Sequence, residues 1–316
     1  MTSLVRQSKT RKVSMTKNPS KRLVVITGPT AVGKTGLAID VARHFQTEII
    51  SADARQFYQE LTIGTAKPSH EELATVRHHL IGHLSVCDYY NVSKFEQQAM
   101  AILNKLFVKY DLVVLVGGSG LYIDTLCQGI DKLPEADPEV RRLVRNYYLE
   151  EGLSGIRNRL RSIDPIYYAR VDPANPNRIM RGLEVFMQTG KPYSAMLLNK
   201  TIPRPFQVVR IVLNRDRQEL FLRINQRVEG MIHEGLIEEA LAMYRYQHMN
   251  ALKTVGYKEL YAWLANQWSL QTAIEKIKTN TRRYARRQIT WFKRHQDALW
   301  FHPDDQQAVI GAIKER

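Results

Sequence analysis

Leu23-Val24-Val25-Ile26-Thr27-Gly28-Pro29-Thr30-Ala31-Val32-Gly33-Lys34-Thr35 is the stretch on which the reading of this chain turns. Its first five residues are apolar or β-branched and predict a short strand. The spacing of Leu37, Ala38, Ile39, Val41 and Ala42 predicts a helix directly afterwards. Between the two lies G-x-x-x-x-G-K-[ST], in the strand–loop–helix setting that this motif needs. Backbone N–H groups of such a loop converge on a phosphate at a helix N-terminus. Gly28, Pro29, Thr30, Ala31, Val32, Gly33, Lys34 and Thr35 are therefore expected to bind phosphate. Lys34 adds a point charge, and the Thr35 hydroxyl is an expected ligand for Mg²⁺. The loop alone leaves open whether the phosphate belongs to a nucleoside triphosphate or to another compound.

Working outward, strand-like runs recur at Leu23–Thr27, Glu48–Ser51 and Leu112–Val116, with helical stretches between them. That alternation predicts a parallel α/β sheet. From 131 to 205 helical patterns take over, as in Glu139–Glu150 and Arg178–Gln188. Asp137-Pro138, Asp164-Pro165 and Asp172-Pro173 punctuate them and suit turns and helix starts. A strand returns at Val208–Leu213, followed by long helices to about Arg294. The expected architecture is a P-loop NTPase-like parallel-sheet core, 22–130 and 206–316, with an all-helical insertion domain at 131–205.

The chain has 316 residues, 44% hydrophobic and 24% charged, as an ordinary globular protein would. No apolar run reaches the roughly 18 residues of a membrane span. Cys87 and Cys127 are the only cysteines, too few for a disulfide framework or a zinc site, and they suit a reducing, cytoplasmic setting. The net charge of +15 is concentrated rather than spread. Residues 1–22 and 276–294 carry Lys and Arg without a single acid and account for the whole excess. The tail, 1–21, is polar and aperiodic and is expected to be disordered. Met15 is an alternative start, and a transit peptide would share this composition, although no cleavage pattern is present.

Asp53, in Ser51-Ala52-Asp53-Ala54-Arg55-Gln56, follows the second strand on the face where parallel sheets bind ligands. It suits a general base, or a magnesium ligand acting through water; an N-cap is the plain alternative. The loop Ile63–Pro68 is compatible with an ordinary turn. The strand ending at Val116 runs into Gly117-Gly118-Ser119, where many P-loop enzymes place a magnesium-binding Asp. Gly-Gly-Ser offers close backbone approach and a hydroxyl, suited to a second anionic group. Arg282, Arg283, Arg286 and Arg287 share a broad helical face, suited to a phosphate backbone, while Ile277, Tyr284 and Trp291 recur every seven residues as core packing. Arg223 and Arg227 would clamp a diphosphate or pair with Glu219 and Glu229. His78, His79, His83 and His233 form no metal-ligand pattern.

Together these segments resemble the tRNA dimethylallyltransferase (isopentenyltransferase) family. The resemblance rests on GPTAVGKT (28–35), ISADARQFY (50–58), IGTAKP (63–68), LVGGSGLY (115–122), DPEVRR (137–142), NRIMRGLEV (177–185), TVGYKE (254–259) and RRQITWFKR (286–294). It implies transfer of a dimethylallyl group from its diphosphate to N6 of the adenosine at position 37 of a tRNA, beside the anticodon. By this resemblance Asp53 is the base, and Lys34, Thr35 with Mg²⁺, Ser119 and Arg223 stabilise the leaving diphosphate, with Arg227 beside it. Asp53, Ala54, Arg55, Gln56, Ser119, Arg141, Asn177, Arg178, Ile179, Met180, Arg181, Lys253, Thr254, Val255, Gly256, Tyr257 and Lys258 fall where the family contacts tRNA. The insertion would grip the anticodon stem-loop. Mg²⁺ is the implied cofactor, tRNA and dimethylallyl diphosphate the implied partners, and a monomer the default state.

Three departures stand out: Ala54 where many relatives have Ser, Leu61-Thr62 for a common Met-Asp, and Ser119 for Thr. Two cysteines exclude the zinc finger of eukaryotic relatives. Three other readings compete. A P-loop kinase would leave the Gly-Gly-Ser turn and the arginine helix unexplained. A prenyltransferase of free adenine nucleotides would need neither the insertion nor that helix. An RNA-binding protein with a dead loop would not retain Lys34, Thr35 and Asp53.

Overall fold

The computed structural model describes residues 21–131, 133–198 and 201–316. The expected disorder of the tail therefore lies outside the described residues, except at Lys21. That residue belongs to the core: its ammonium pairs with Asp111 at 2.7 Å and its carbonyl accepts the Gln207 N–H. The chain divides into two compact units, one of residues up to Cys127 with Arg204–Arg316, the other Gln128–Pro203.

The first unit is built on six parallel strands, β1 (Arg22–Thr27), β2 (Ile49–Ser51), β3 (His78–His79), β4 (Leu112–Gly117), β5 (Gln207–Leu213) and β6 (Leu299–Phe301), in the order β3-β2-β4-β1-β5-β6. Strands β1 and β4 are apolar over their buried length because helices cover both faces, except for Thr27, whose hydroxyl donates to Gly117 O at 2.9 Å. Alternation divides them between two cores. Val24, Ile26, Val114 and Val116 pack on one face, and Leu23, Val25, Val113 and Leu115 on the other. Because β4 lies between β1 and β2, the loops leaving all three strands emerge side by side at the carboxyl edge. That edge is where open parallel sheets bind ligands. Strands β3 and β6 carry no sequence signal of their own, being two and three residues long.

In the second unit, Asp137 caps the helix Pro138–Ile163 by accepting the Glu139 N–H at 2.8 Å, and Asp164 caps the next turn through Tyr167. Asp172-Pro173 instead makes a turn, and the following helix, Pro176–Thr189, starts from Asn175. Gly152 (φ 67°, ψ −168°) kinks the long helix. Val144, Ile156, Leu160, Ile179 and Leu183 close a separate apolar core.

Candidate active site

The phosphate loop takes its shape from two glycines. Gly28 (φ +148°) lies so close to β5 that a Cβ would meet the Leu213 carbonyl oxygen at 2.5 Å. Gly33 (φ +109°) turns the chain into the helix Lys34–His44 from a left-handed conformation. The Pro29 and Val32 side chains are buried and do not border the cavity beside the loop. Thr30, Ala31, Gly33, Lys34 and Thr35 border a cavity of about 420 Å³ together with Asp53, Arg223 and Arg227. The Lys34 ammonium donates to the carbonyls of Gly28 (3.1 Å) and Pro29 (2.8 Å), which commits two of its three protons. Burial pushes Lys34 down to about 8, against the attraction of Asp53 and helped by Arg227.

Helical spacing four apart brings Arg223 and Arg227, on the helix Arg217–His233, to the loop. Arg223 Nε donates to Ala31 O at 3.1 Å and Arg227 reaches the Thr30 hydroxyl at 3.4 Å. Their alternative partners are engaged elsewhere, Glu219 with Arg215 and Glu229 with Lys278 at 3.0 Å. Both guanidinium groups therefore face the phosphate loop instead of pairing with those carboxylates. Arg215, which the sequence did not single out, buttresses the loop from behind by donating to Val32 O at 3.0 Å.

Asp53 leaves the end of β2, and its Oδ1 accepts the Arg55 N–H at 3.0 Å. The Ala54 N–H donates to Ser119 Oγ at 2.9 Å, a backbone contact that does not depend on the side chain at 54. Gln56 ties this segment to the carbonyls of Thr65 (3.3 Å) and Ala66 (2.9 Å), and Arg55 reaches the carbonyls of Asn250 and Ala251. The Gly-Gly-Ser turn departs from its expected role as a second anion cradle. A Cβ on Gly117 would meet Ala52 O at 2.3 Å and one on Gly118 would meet Gln288 Nε2 at 2.3 Å. The glycines thus admit neighbouring parts of the protein. Ser119 borders a second cavity instead of the phosphate cavity.

That second cavity, about 360 Å³, shares Thr30, Asp53, Thr65, Ala66, Arg227 and Tyr284 with the first. Asp53 therefore stands at the junction of the two. The far wall holds Ala54, Arg55, Lys253, Thr254, Val255, Gly256, Lys258 and Arg287. Tyr257 does not join them, because it is fully buried and its hydroxyl donates to Glu239 at 2.6 Å. Glu239 also accepts the N–H groups of Thr62, Ile63 and Gly64 at 2.8–2.9 Å, so one carboxylate fixes both loops. Nothing in local sequence marks it.

Ser269 caps the helix Leu270–Phe292, which carries the arginines. Arg283, Arg286 and Arg287 border an open groove of about 560 Å³ with Thr290, Trp291 and Arg294. Arg294 lies 3.7 Å from the centre of the Trp291 ring. Arg282 sits at the edge of the helical arc and turns away, donating to Asn225 (2.6 Å) and Thr279 (2.9 Å). Of the heptad-spaced residues, Ile277 is buried as expected and Trp291 donates to Asp124 at 2.9 Å. Tyr284 is 37% exposed and faces both cavities, so it is a site wall and not core packing.

In the second unit, Asn177 and Arg178 are exposed and Met180 is half-buried, whereas Ile179 is fully buried in the apolar core and has no face to offer RNA. Arg141 (3.0 Å) and Arg181 (3.2 Å) converge on the buried Glu184. A carboxylate so placed fixes the direction of both guanidinium groups.

Among the described residues no three His, Cys, Asp or Glu side chains are grouped to hold a metal by themselves. Mg²⁺ takes one or two protein oxygens and completes its shell with phosphates and water. The Thr35 hydroxyl and the Asp53 carboxylate, both on the phosphate cavity, are hard oxygen donors that fit this requirement. No helix among the described residues is long and apolar enough to cross a membrane.

A model of the IPP transferase family matches residues 56–295. The tRNA dimethylallyltransferase 1 of Bacteroides thetaiotaomicron is 47% identical over 292 residues, covering 92% of this chain and 95% of that protein. The tRNA dimethylallyltransferase of Christiangramia forsetii is 48% identical over 291 residues, covering 92% and 96%. Among solved structures, the tRNA isopentenylpyrophosphate transferase of Bacillus halodurans superposes with a TM-score of 0.67 at 33% identity, covering 93% of this chain and 97% of that one. A eukaryotic dimethylallyltransferase acting on tRNA superposes with a TM-score of 0.74 at 28% identity, covering 86% and 69%. With a phosphate loop, a carboxylate at the junction of two cavities and this match across most of its length, the chain belongs to the IPP transferase family.

Proposed function

We propose that this enzyme, a tRNA dimethylallyltransferase, moves the dimethylallyl group of dimethylallyl diphosphate onto N6 of the adenosine 3′-adjacent to a tRNA anticodon. The carrying observation is the position of Asp53, between a cationic phosphate cavity and a second cavity walled by Lys253–Gly256 and Arg287. Diphosphate occupies the first cavity, held by the loop, Lys34, Arg223 and Arg227. The target base, turned out of its stack, enters the second.

The exocyclic amine is a poor nucleophile because its lone pair is delocalised into the purine. As N6 bonds to C1 of the dimethylallyl group, the C1–O bond breaks and its electron pair leaves with the diphosphate. The N6 proton passes to the Asp53 carboxylate, which later returns it to solvent. Negative charge grows on the departing oxygens, where Lys34, Arg223 and Arg227 border the cavity and supply positive charge. Bound Mg²⁺, held by Thr35 and through water by Asp53, would neutralise part of that charge. The open cationic groove of Arg283, Arg286 and Arg287 suits an RNA backbone, and the helical insertion suits the anticodon stem-loop. Ser119 acts here by holding the Asp53 segment. A monomer acting in the cytoplasm completes the reading, and two free cysteines agree with a reducing compartment.

The test incubates the protein and Mg²⁺ with unmodified tRNA and dimethylallyl diphosphate, then weighs the digested nucleosides. A prenylated adenosine is expected. Phosphate transfer from ATP without prenylation would favour a kinase, and prenylation of free AMP but not tRNA would favour a nucleotide prenyltransferase.

A further inference from the structure

Gln288 is 5% exposed and lies on the buried side of the arginine helix, next to Arg287. Its side-chain oxygen accepts the backbone N–H of Thr30 in the phosphate loop at 2.8 Å. Its side-chain nitrogen donates to the carbonyl of Gly118 at 2.8 Å, in the turn that follows β4. An amide has one acceptor and one donor end, and here each serves a different loop. Gly118 is shaped to this contact, since a Cβ there would come within 2.3 Å of Gln288 Nε2. The neighbouring turn residue, Ser119, in turn holds the Ala54 N–H beside Asp53. One side chain thus joins the helix that faces outward with Arg283, Arg286 and Arg287 to the loop that holds phosphate and to the turn that holds the base.

We propose that Gln288 is a positioning residue that sets the phosphate loop against the Gly118 turn, so that the leaving diphosphate and Asp53 keep a fixed distance. Gln288 borders the phosphate cavity, but both ends of its amide are committed to the two loops. The inference rests on the alkyl-transfer reading above. Thr30 is also held by Arg227 through its hydroxyl, so losing Gln288 frees the loop on one side only. The consequence is a loop that samples geometries with fewer amides aimed at the diphosphate, which weakens donor binding before it touches RNA binding.

The test measures binding of inorganic diphosphate and of dimethylallyl diphosphate to the full chain with Mg²⁺ by calorimetry, and tRNA affinity by filter binding. The proteins are the wild type, Gln288→Met, Gly118→Ala and the double variant. Met keeps the volume of Gln and removes both hydrogen bonds; Ala at 118 displaces the amide while leaving Gln288 in place. Each single variant should weaken donor binding at least tenfold, raise KM for dimethylallyl diphosphate in step, and change tRNA affinity less than threefold. The double variant should lose little more than either single, because both remove one shared contact. Donor affinity within threefold of wild type in folded Gln288→Met or Gly118→Ala overturns the proposal, as does an equal loss of donor and tRNA affinity. If Gln288→Met does not fold, Gly118→Ala decides alone. A wild-type protein that fails to bind either diphosphate would instead overturn the functional reading.

Discussion

Glu239→Ala removes a carboxylate that four donors share. Three are backbone N–H groups, of Thr62, Ile63 and Gly64, and the fourth is the hydroxyl of the fully buried Tyr257. A hydrogen bond to a charged group contributes about 1.5–3 kcal/mol, and a buried donor left unpaired costs about 1–3 kcal/mol. The Thr62 N–H lies at the surface and water can replace its partner; the Gly64 N–H and the Tyr257 hydroxyl are less accessible. We therefore expect a loss of about 3 kcal/mol, roughly a hundredfold in the folding equilibrium. Urea unfolding reads it as a lower midpoint at unchanged slope. Tyr257→Phe deletes only one donor and should cost about 1 kcal/mol, with the double variant close to Glu239→Ala alone because the bond is common to both. Thr65 and Ala66 on one loop and Lys253–Gly256 on the other line the cavities at Asp53, so KM for tRNA should also rise. A Glu239→Ala midpoint shift equivalent to less than about 1 kcal/mol would refute the claim that this carboxylate fixes both loops.

Asp53→Asn keeps the acceptor for the Arg55 N–H and removes the base, so turnover should fall about 10²–10⁴-fold with tRNA affinity within threefold; single-turnover rates with filter binding measure both, and turnover within tenfold of wild type would count against the base. Lys34 sits near 8, and a bound anion must raise it, so binding takes up a proton above that pH. Affinity for inorganic diphosphate without metal should accordingly fall as pH rises through about 8, and Lys34→Arg, charged throughout, should flatten the profile; an unchanged profile in that variant would place the titration elsewhere. Neutralising Arg283 and Arg287 to Gln should weaken tRNA binding and reduce the slope of log affinity against log salt by roughly 1.4–1.8. A slope equal to wild type would make this groove an ordinary solvated face.

The parts that short-range pattern can carry were readable in one dimension. The β1–loop–helix unit, Asp53 at the end of β2 and the helical change at 131–205 each arise from residues adjacent in sequence, whose periodicity and turn chemistry set local conformation. Strands β3 and β6 were not readable, because His78–His79 and Leu299–Phe301 become strands only by pairing with β2 and β5.

Tertiary structure decided everything that depends on which side of an element faces which neighbour. Helical spacing alone could not choose between a clamp and ion pairs for Arg223 and Arg227; Arg215 and Lys278 removed the ion pairs by occupying Glu219 and Glu229, and both arginines face the phosphate loop. A helical wheel grouped Arg282 with its neighbours and Tyr284 with Ile277, but packing against Asn225 took the first inward and the opening at Asp53 took the second outward. Ile179 and Tyr257 sit within motifs yet lie in the core, because a motif records order along the chain and not depth. Gln288 and Glu239 act across 258 and 175–177 residues of sequence, where no local signal reaches. Residues adjacent in the chain already place a phosphate loop and a carboxylate on one sheet edge. Only the folded chain, by placing β4 between β1 and β2, brought them to the junction of two cavities.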